Sequence, residues 1–116
     1  MKTKRILIFD DEPASVVGIQ RVLKNRGIEA EICTQGQRAE DFCISFRPDL
    51  ALLDLVWERQ PVSASDIEAI LNARGIPFVF LSAHVPVLTA PTLSPKVIHK
   101  PTSPEQVIVQ LEEWGY

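Results

Sequence analysis

Short apolar runs alternate with amphipathic segments along most of the chain, and their two periods separate strands from helices. The run Ile6, Leu7, Ile8 and Phe9 predicts a first strand over 4–9. Pro13 suits a first helical position; Val16, Ile19, Val22 and Leu23 then line one helical face, and Gly27 ends it. A second, weaker strand follows over 28–33. Ala39, Phe42, Cys43 and Phe46 fall at i, i+3, i+4 and i+7, which marks a second helix running up to Arg47 and Pro48. The segment 49–53 is nearly all apolar, as a strand covered by helices on both faces must be.

The second half keeps the rhythm with one break. Ser63 with Asp66 three residues later forms a capping-box pattern, and Ile67, Ile70 and Leu71 supply the stripe of a third helix. Gly75 and Pro77 close it before a fourth strand over 78–81. Between 83 and 96, Pro86, Pro91 and Pro95 forbid a regular helix of normal length, so an irregular loop with at most a short helical turn is expected. Val97 and Ile98 make a short edge strand. Ser103, Pro104 and Gln106 then open a last helix buried through Val107, Ile108, Leu111 and Trp114. Strand and helix alternating in this way predict an α/β fold: a five-stranded parallel sheet with helices on both faces, the fourth helix short or missing.

Five polar residues stand just past the apolar runs: Asp10 and Asp11, Asp54, Ser82 and, after the shorter Val97-Ile98, Lys100. Residues just past the carboxyl ends of neighbouring parallel strands converge on one crevice. Three carboxylates there suit Mg²⁺, a hard cation held by a few carboxylates, waters and phosphate oxygens. Asp54 is also a candidate nucleophile, since carboxylates form acyl phosphates. The roughly −1.5 to −2 charge of a phosphoryl group needs neutralising, and Lys100 can do this while the Ser82 hydroxyl donates a hydrogen bond. Singly, each residue has a blander role open to it. Asp10, Asp11 and Asp54 could cap helices, Ser82 could be structural, and Lys100 could be a solvated charge. Four strand ends carrying these residue types in this order are hard to obtain from capping alone.

Composition narrows the function classes. At 116 residues with 46% hydrophobic and 23% charged positions, a single globular domain over 1–116 is expected, with no output domain. A net charge of −3 offers no electrostatic footprint for nucleic acid or an anionic membrane. The basic start is cut off by Asp10, Asp11 and Glu12 after only four apolar residues, so no signal peptide is expected. Cys33 and Cys43 have neither CxxC spacing nor histidine partners and read as reduced core thiols, consistent with a cytoplasmic protein.

The motifs Phe-Asp-Asp-Glu-Pro, Pro-Asp-Leu-Ala-Leu-Leu-Asp-Leu, Pro-Phe-Val-Phe-Leu-Ser-Ala and His-Lys-Pro, in this order, resemble the receiver domain of two-component response regulators. The resemblance spans essentially the whole chain. It implies a flavodoxin-like sheet in the order 2-1-3-4-5, and Asp54 as phospho-acceptor. It also implies Asp10, Asp11, Asp54 and the Val56 backbone carbonyl as Mg²⁺ ligands, with Ser82 and Lys100 as phosphate contacts. A histidine kinase or histidine phosphotransfer protein would be the donor and a downstream protein the target, with no direct nucleic-acid binding, no membrane and no turnover of external substrates. His84 and Trp57 are possible accessory residues beside the site.

Three departures from the family pattern accompany it. No glycine follows Asp54 closely, Val97 stands where an aromatic switch residue is usual, and only 18 positions separate Ser82 from Lys100. In these respects the chain resembles an atypical alphaproteobacterial-type group of single-domain receivers with a degenerate fourth helix. Two alternatives remain at this stage. One is a receiver-like scaffold that binds without phosphorylation. The other is a small haloacid-dehalogenase-type phosphatase using Asp10, Ser82 and Lys100, which leaves Asp54 without a role.

Overall fold

A computed structural model describes residues 1–55, 57, 62–82, 96–100 and 102–116, and the backbone alone at Ser82. Five parallel strands, β1 (Arg5–Phe9), β2 (Glu29–Cys33), β3 (Leu50–Asp54), β4 (Phe78–Ser82) and β5 (Val97–His99), form one sheet in the order β2-β1-β3-β4-β5. Among the described residues four α-helices pack on it: α1 (Val17–Asn25), α2 (Ala39–Phe46), α3 (Ala64–Ala73) and α4 (Pro104–Glu113). The sheet order and the helices on both faces agree with the expected fold. The 83–96 loop lies outside the described residues as far as position 95.

Because successive strand side chains point to opposite faces, β1 divides its burial between two cores. Ile6 and Ile8 join Leu50, Leu52, Val79 and Leu81 beneath α1 and α4, which contribute Ile19, Leu23, Val107, Ile108 and Leu111. Leu7 and Phe9 join Ala51, Leu53 and Phe80 beneath α2 and α3, which contribute Cys43, Ile67 and Leu71. In β1 and β3 the runs 6–9 and 50–53 are apolar and buried throughout because both faces of these strands are covered.

Local signals set the ends of the elements. The Ser63–Asp66 capping box forms in both directions, with Ser63 Oγ accepting from the Asp66 N–H and an Asp66 carboxylate oxygen accepting from the Ser63 N–H. Ser103 caps α4 by accepting from the Gln106 N–H, with Pro104 in the first turn. Gly27 and Gly75 take φ of +79° and +67°, which closes the helices before β2 and β4.

The first helix departs from expectation. Pro13–Ser15 is a separate 3₁₀ turn, and α1 starts only at Val17, because Val16 (φ −122°, ψ −4°) interrupts the helical backbone. Glu12 places no side-chain cap on the turn, and its N–H is taken by the Asp10 carboxylate instead. The turn therefore belongs to the strand end above it rather than to the helix below.

Two contacts fix the elements that carry the site. Gly18 lets α1 approach the start of α4 closely, since a Cβ there would sit 3.2 Å from the Pro104 ring. Lys96, just ahead of β5, lies over the rings of Trp114 and Tyr116, 5.8 and 4.7 Å from their centroids.

Candidate phosphoryl-acceptor and metal site

The register of the strands determines which side chains meet. Phe9 pairs with Leu53 across β1 and β3, so Asp10, the next residue, comes level with Asp54 at the end of β3. Asp54 pairs with Leu81, which brings Ser82 one residue further along β4. Ser82 pairs with His99, and Lys100 is the next residue. The five polar residues picked out by the sequence thus all stand at the carboxyl edge of one sheet, as expected for a parallel α/β fold.

Carboxylate oxygens of Asp10, Asp11 and Asp54 lie within 4.8 Å of one another. Asp10 is 1% exposed, while Asp11 and Asp54 are partly buried. Hard oxygen donors converging from two strand ends are the donor set that Mg²⁺ takes from proteins, and their mutual repulsion gives an incoming cation a place to relieve. The residues present therefore fit a divalent cation.

Asp10 is engaged through both carboxylate oxygens. Its Oδ1 accepts from the Glu12 N–H at 2.8 Å. Its Oδ2 accepts from the Lys100 ammonium at 2.7 Å and from the Ser15 hydroxyl at 3.1 Å. Lys100 also donates to Ser15 Oγ at 3.3 Å. The Lys100–Asp10 ion pair is well shielded, the lysine side chain being 17% exposed. Two strands lie between β5 and β1. At about 4.8 Å per strand this span demands a long side chain placed just past the strand end, which is what Lys100 provides.

Trp57 does not lie over the site as a lid. It is buried in the core under α2 and α3, and its indole Nε1–H donates to the Asp54 backbone carbonyl at 2.9 Å. The chain leaving β3 is thereby folded back onto the residue that ends the strand. Val56 and His84 lie outside the described residues, as does the side chain of Ser82. Ser15 was not among the residues selected from sequence. Only a serine five positions past Asp10 hints at it, and that spacing meets Asp10 only because the intervening residues form a 3₁₀ turn rather than the start of an α-helix.

Burial raises the thiol pKa of both Cys33 and Cys43, and among the described residues both cysteines are free. They are core residues, as expected. No described helix is long and apolar enough to cross a membrane.

No family model matches the chain. The chain is 28% identical over 113 residues to the DNA-binding response regulator MtrA of Mycolicibacterium smegmatis, covering 93% of this chain and 49% of that protein. It is 28% identical over the same coverage to MtrA of Mycobacterium leprae. The chain thus spans about half the length of the curated relatives it matches. Among solved structures it superposes on a CheY-like response regulator receiver domain from Methanospirillum hungatei with a TM-score of 0.77 at 21% identity, covering 96% of this chain and 92% of that one. The PhyR receiver domain of Erythrobacter litoralis gives a TM-score of 0.79 at 20% identity, with 96% and 88% covered.

Proposed function

The chain is a response regulator receiver domain, and from that premise we propose that it accepts a phosphoryl group on Asp54 from a histidine kinase or histidine phosphotransfer protein and uses it to switch binding to a protein partner. The observation that carries this reading is the grouping of Asp10, Asp11 and Asp54 oxygens within 4.8 Å, with the Lys100 ammonium already at Asp10. In the transfer, an Asp54 carboxylate oxygen forms a bond to phosphorus as the phosphorus–nitrogen bond of a phosphohistidine breaks, and the departing imidazole takes up a proton.

Each residue has a task in this scheme. Asp54 serves as acceptor because it ends a central strand and is partly buried, so the new group is held at the sheet edge. Both oxygens of Asp10 are bonded and the residue is almost completely buried, which disfavours the phosphatase alternative that needs it as nucleophile. Asp10 and Asp11, with Asp54, would hold Mg²⁺, which supplies charge neutralisation at the phosphoryl oxygens when bound. Lys100 brings a second positive charge, and Ser82 a hydroxyl from the adjacent strand. The Val56 carbonyl belongs to the proposed ligand set through the family resemblance. Adding the phosphoryl charge biases two arrangements of the site and its neighbouring loop, which is how a local event becomes a binding switch. In this reading the chain acts in the cytoplasm as a receiver whose output is protein–protein contact rather than turnover of an external substrate.

The test is the intact mass of the purified chain after acetyl phosphate or beryllofluoride, with and without Mg²⁺, beside Asp54→Ala. The expected result is a Mg²⁺-dependent adduct that the variant cannot form. Absence of an adduct under every condition, with a cognate kinase included, would favour the phosphorylation-independent scaffold.

A further inference from the structure

We infer that Ser15 is a positioning residue that holds the Lys100 ammonium on Asp10 and so sets how strongly Lys100 competes with a divalent cation for that carboxylate. The inference rests on the receiver chemistry proposed above.

Three side chains close a small ring, Asp10 and Ser15 five residues apart and Lys100 from near the other end of the chain. Lys100 donates to Asp10 Oδ2 at 2.7 Å and to Ser15 Oγ at 3.3 Å, and Ser15 lies 3.1 Å from the same Asp10 oxygen. A serine hydroxyl has one proton and two lone pairs. It can therefore accept from Lys100 while donating to Asp10, and each contact supports the other. The hydroxyl also has a second acceptor within reach, the Glu12 carbonyl at 3.0 Å. The proton has somewhere to turn when Asp10 Oδ2 is claimed by another partner.

Asp10 Oδ2 is the point of competition. A cation that uses this oxygen repels the ammonium beside it, so Lys100 must leave as the cation enters. Every contact that steadies Lys100 on Asp10 opposes that entry. The hydroxyl of Ser15 steadies both members of the pair, and its location is fixed by the 3₁₀ turn of Pro13–Ser15. Release of Lys100 from Asp10 is also what frees its charge for an incoming phosphoryl group. Ser15 thus acts through Lys100 rather than on the reacting atoms.

The experiment has two arms, using wild type, Ser15→Ala, Ser15→Thr, Lys100→Ala and the Ser15→Ala/Lys100→Ala double variant. In chelator, with no metal or phosphoryl donor, the acylation rate of Lys100 is followed by peptide mass spectrometry, with the exposed Lys24 as internal reference. Ser15→Ala is expected to raise Lys100 labelling at least threefold while Ser15→Thr stays near wild type and Lys24 is unchanged. In the second arm, Mg²⁺ affinity is read by calorimetry. Ser15→Ala is expected to tighten Mg²⁺ binding about threefold or more when Lys100 is present and to have no effect in the Lys100→Ala background. Unchanged labelling, or an affinity change that is the same with and without Lys100, would overturn the inference. Failure of wild type to bind Mg²⁺ at all would overturn the metal reading and the competition with it. The labelling arm would still decide whether Ser15 holds Lys100, so the two failures are told apart.

Discussion

Trp57 illustrates how one side chain can set the shape of a site without entering it. Its ring fills the core under α2 and α3, and its Nε1–H satisfies the carbonyl of the residue that ends β3. Trp57→Phe keeps most of the apolar burial but leaves that carbonyl without its indole partner. We expect a loss of about 0.5–1.5 kcal/mol, the usual net contribution of one hydrogen bond, whereas Trp57→Ala should cost about 3–5 kcal/mol through the cavity it leaves. Urea unfolding of both variants measures the two terms separately, and equal losses would contradict this account. The sequence pointed to Trp57 as a neighbour of the site because it stands three positions past Asp54. Its inward orientation was not legible there, since an aromatic in a loop is equally compatible with a lid and with a core anchor. Asp10, Asp11 and Asp54 were legible because they follow four-residue apolar runs that read clearly as strands, and Lys100 because it stands just past the shorter run Val97-Ile98. Ser15 was not, because its role depends on the 3₁₀ geometry between Glu12 and Val16.

Among the elements, helix starts illustrate how far local signals carry. The Ser63–Asp66 pair was readable from spacing alone, and both reciprocal bonds form. The first helix starts later than expected because Pro13 also suits a 3₁₀ turn, and the Glu12 N–H donates to the Asp10 carboxylate two residues back, a local turn that competes with the helix start. The capping box also has a pH signature. Hydrogen bonds from the Ser63 N–H and hydroxyl to the Asp66 carboxylate lower its pKa below the ordinary 3.8. A lowered folded-state pKa means that the folded chain binds the proton less readily than the unfolded one. The contribution is therefore fully present above the unfolded pKa and is lost as pH falls through the lowered folded value. Asp66→Asn should accordingly flatten the acid limb of the stability curve below about pH 4, and Ser63→Ala should cost about 1 kcal/mol at neutral pH. Thermal melts across pH 2–7 test this, and an unchanged acid limb in Asp66→Asn would remove the capping box as its source.

For the whole molecule, the site is a place where stability is given up for chemistry. Strand order 2-1-3-4-5 was implied by the motif resemblance, and in that order β1 and β3, with their four-residue apolar runs 6–9 and 50–53, lie inside the sheet with both faces covered. The same arrangement forces Asp10, Asp11 and Asp54 together at its edge. At separations below 4.8 Å, like charges in a partly shielded site repel by about 1–3 kcal/mol per pair, after allowance for an effective dielectric of about 20 and some solvent access. Asp11→Asn removes one of these charges while leaving the Lys100–Asp10 pair in place. In chelator the variant should therefore be more stable than wild type by about 1 kcal/mol or more. On the proposed metal reading, Mg²⁺ should reverse the ranking, because a ligand that binds only the folded chain adds stability in proportion to the logarithm of its concentration above Kd. Wild type should gain with each increment of Mg²⁺, and Asp11→Asn should gain far less. Urea titrations of the two chains across a Mg²⁺ series would reveal the crossing. If the curves stay parallel, the three carboxylates do not act together as a cation site, and the repulsion among them would need another explanation for its presence at the edge of this sheet.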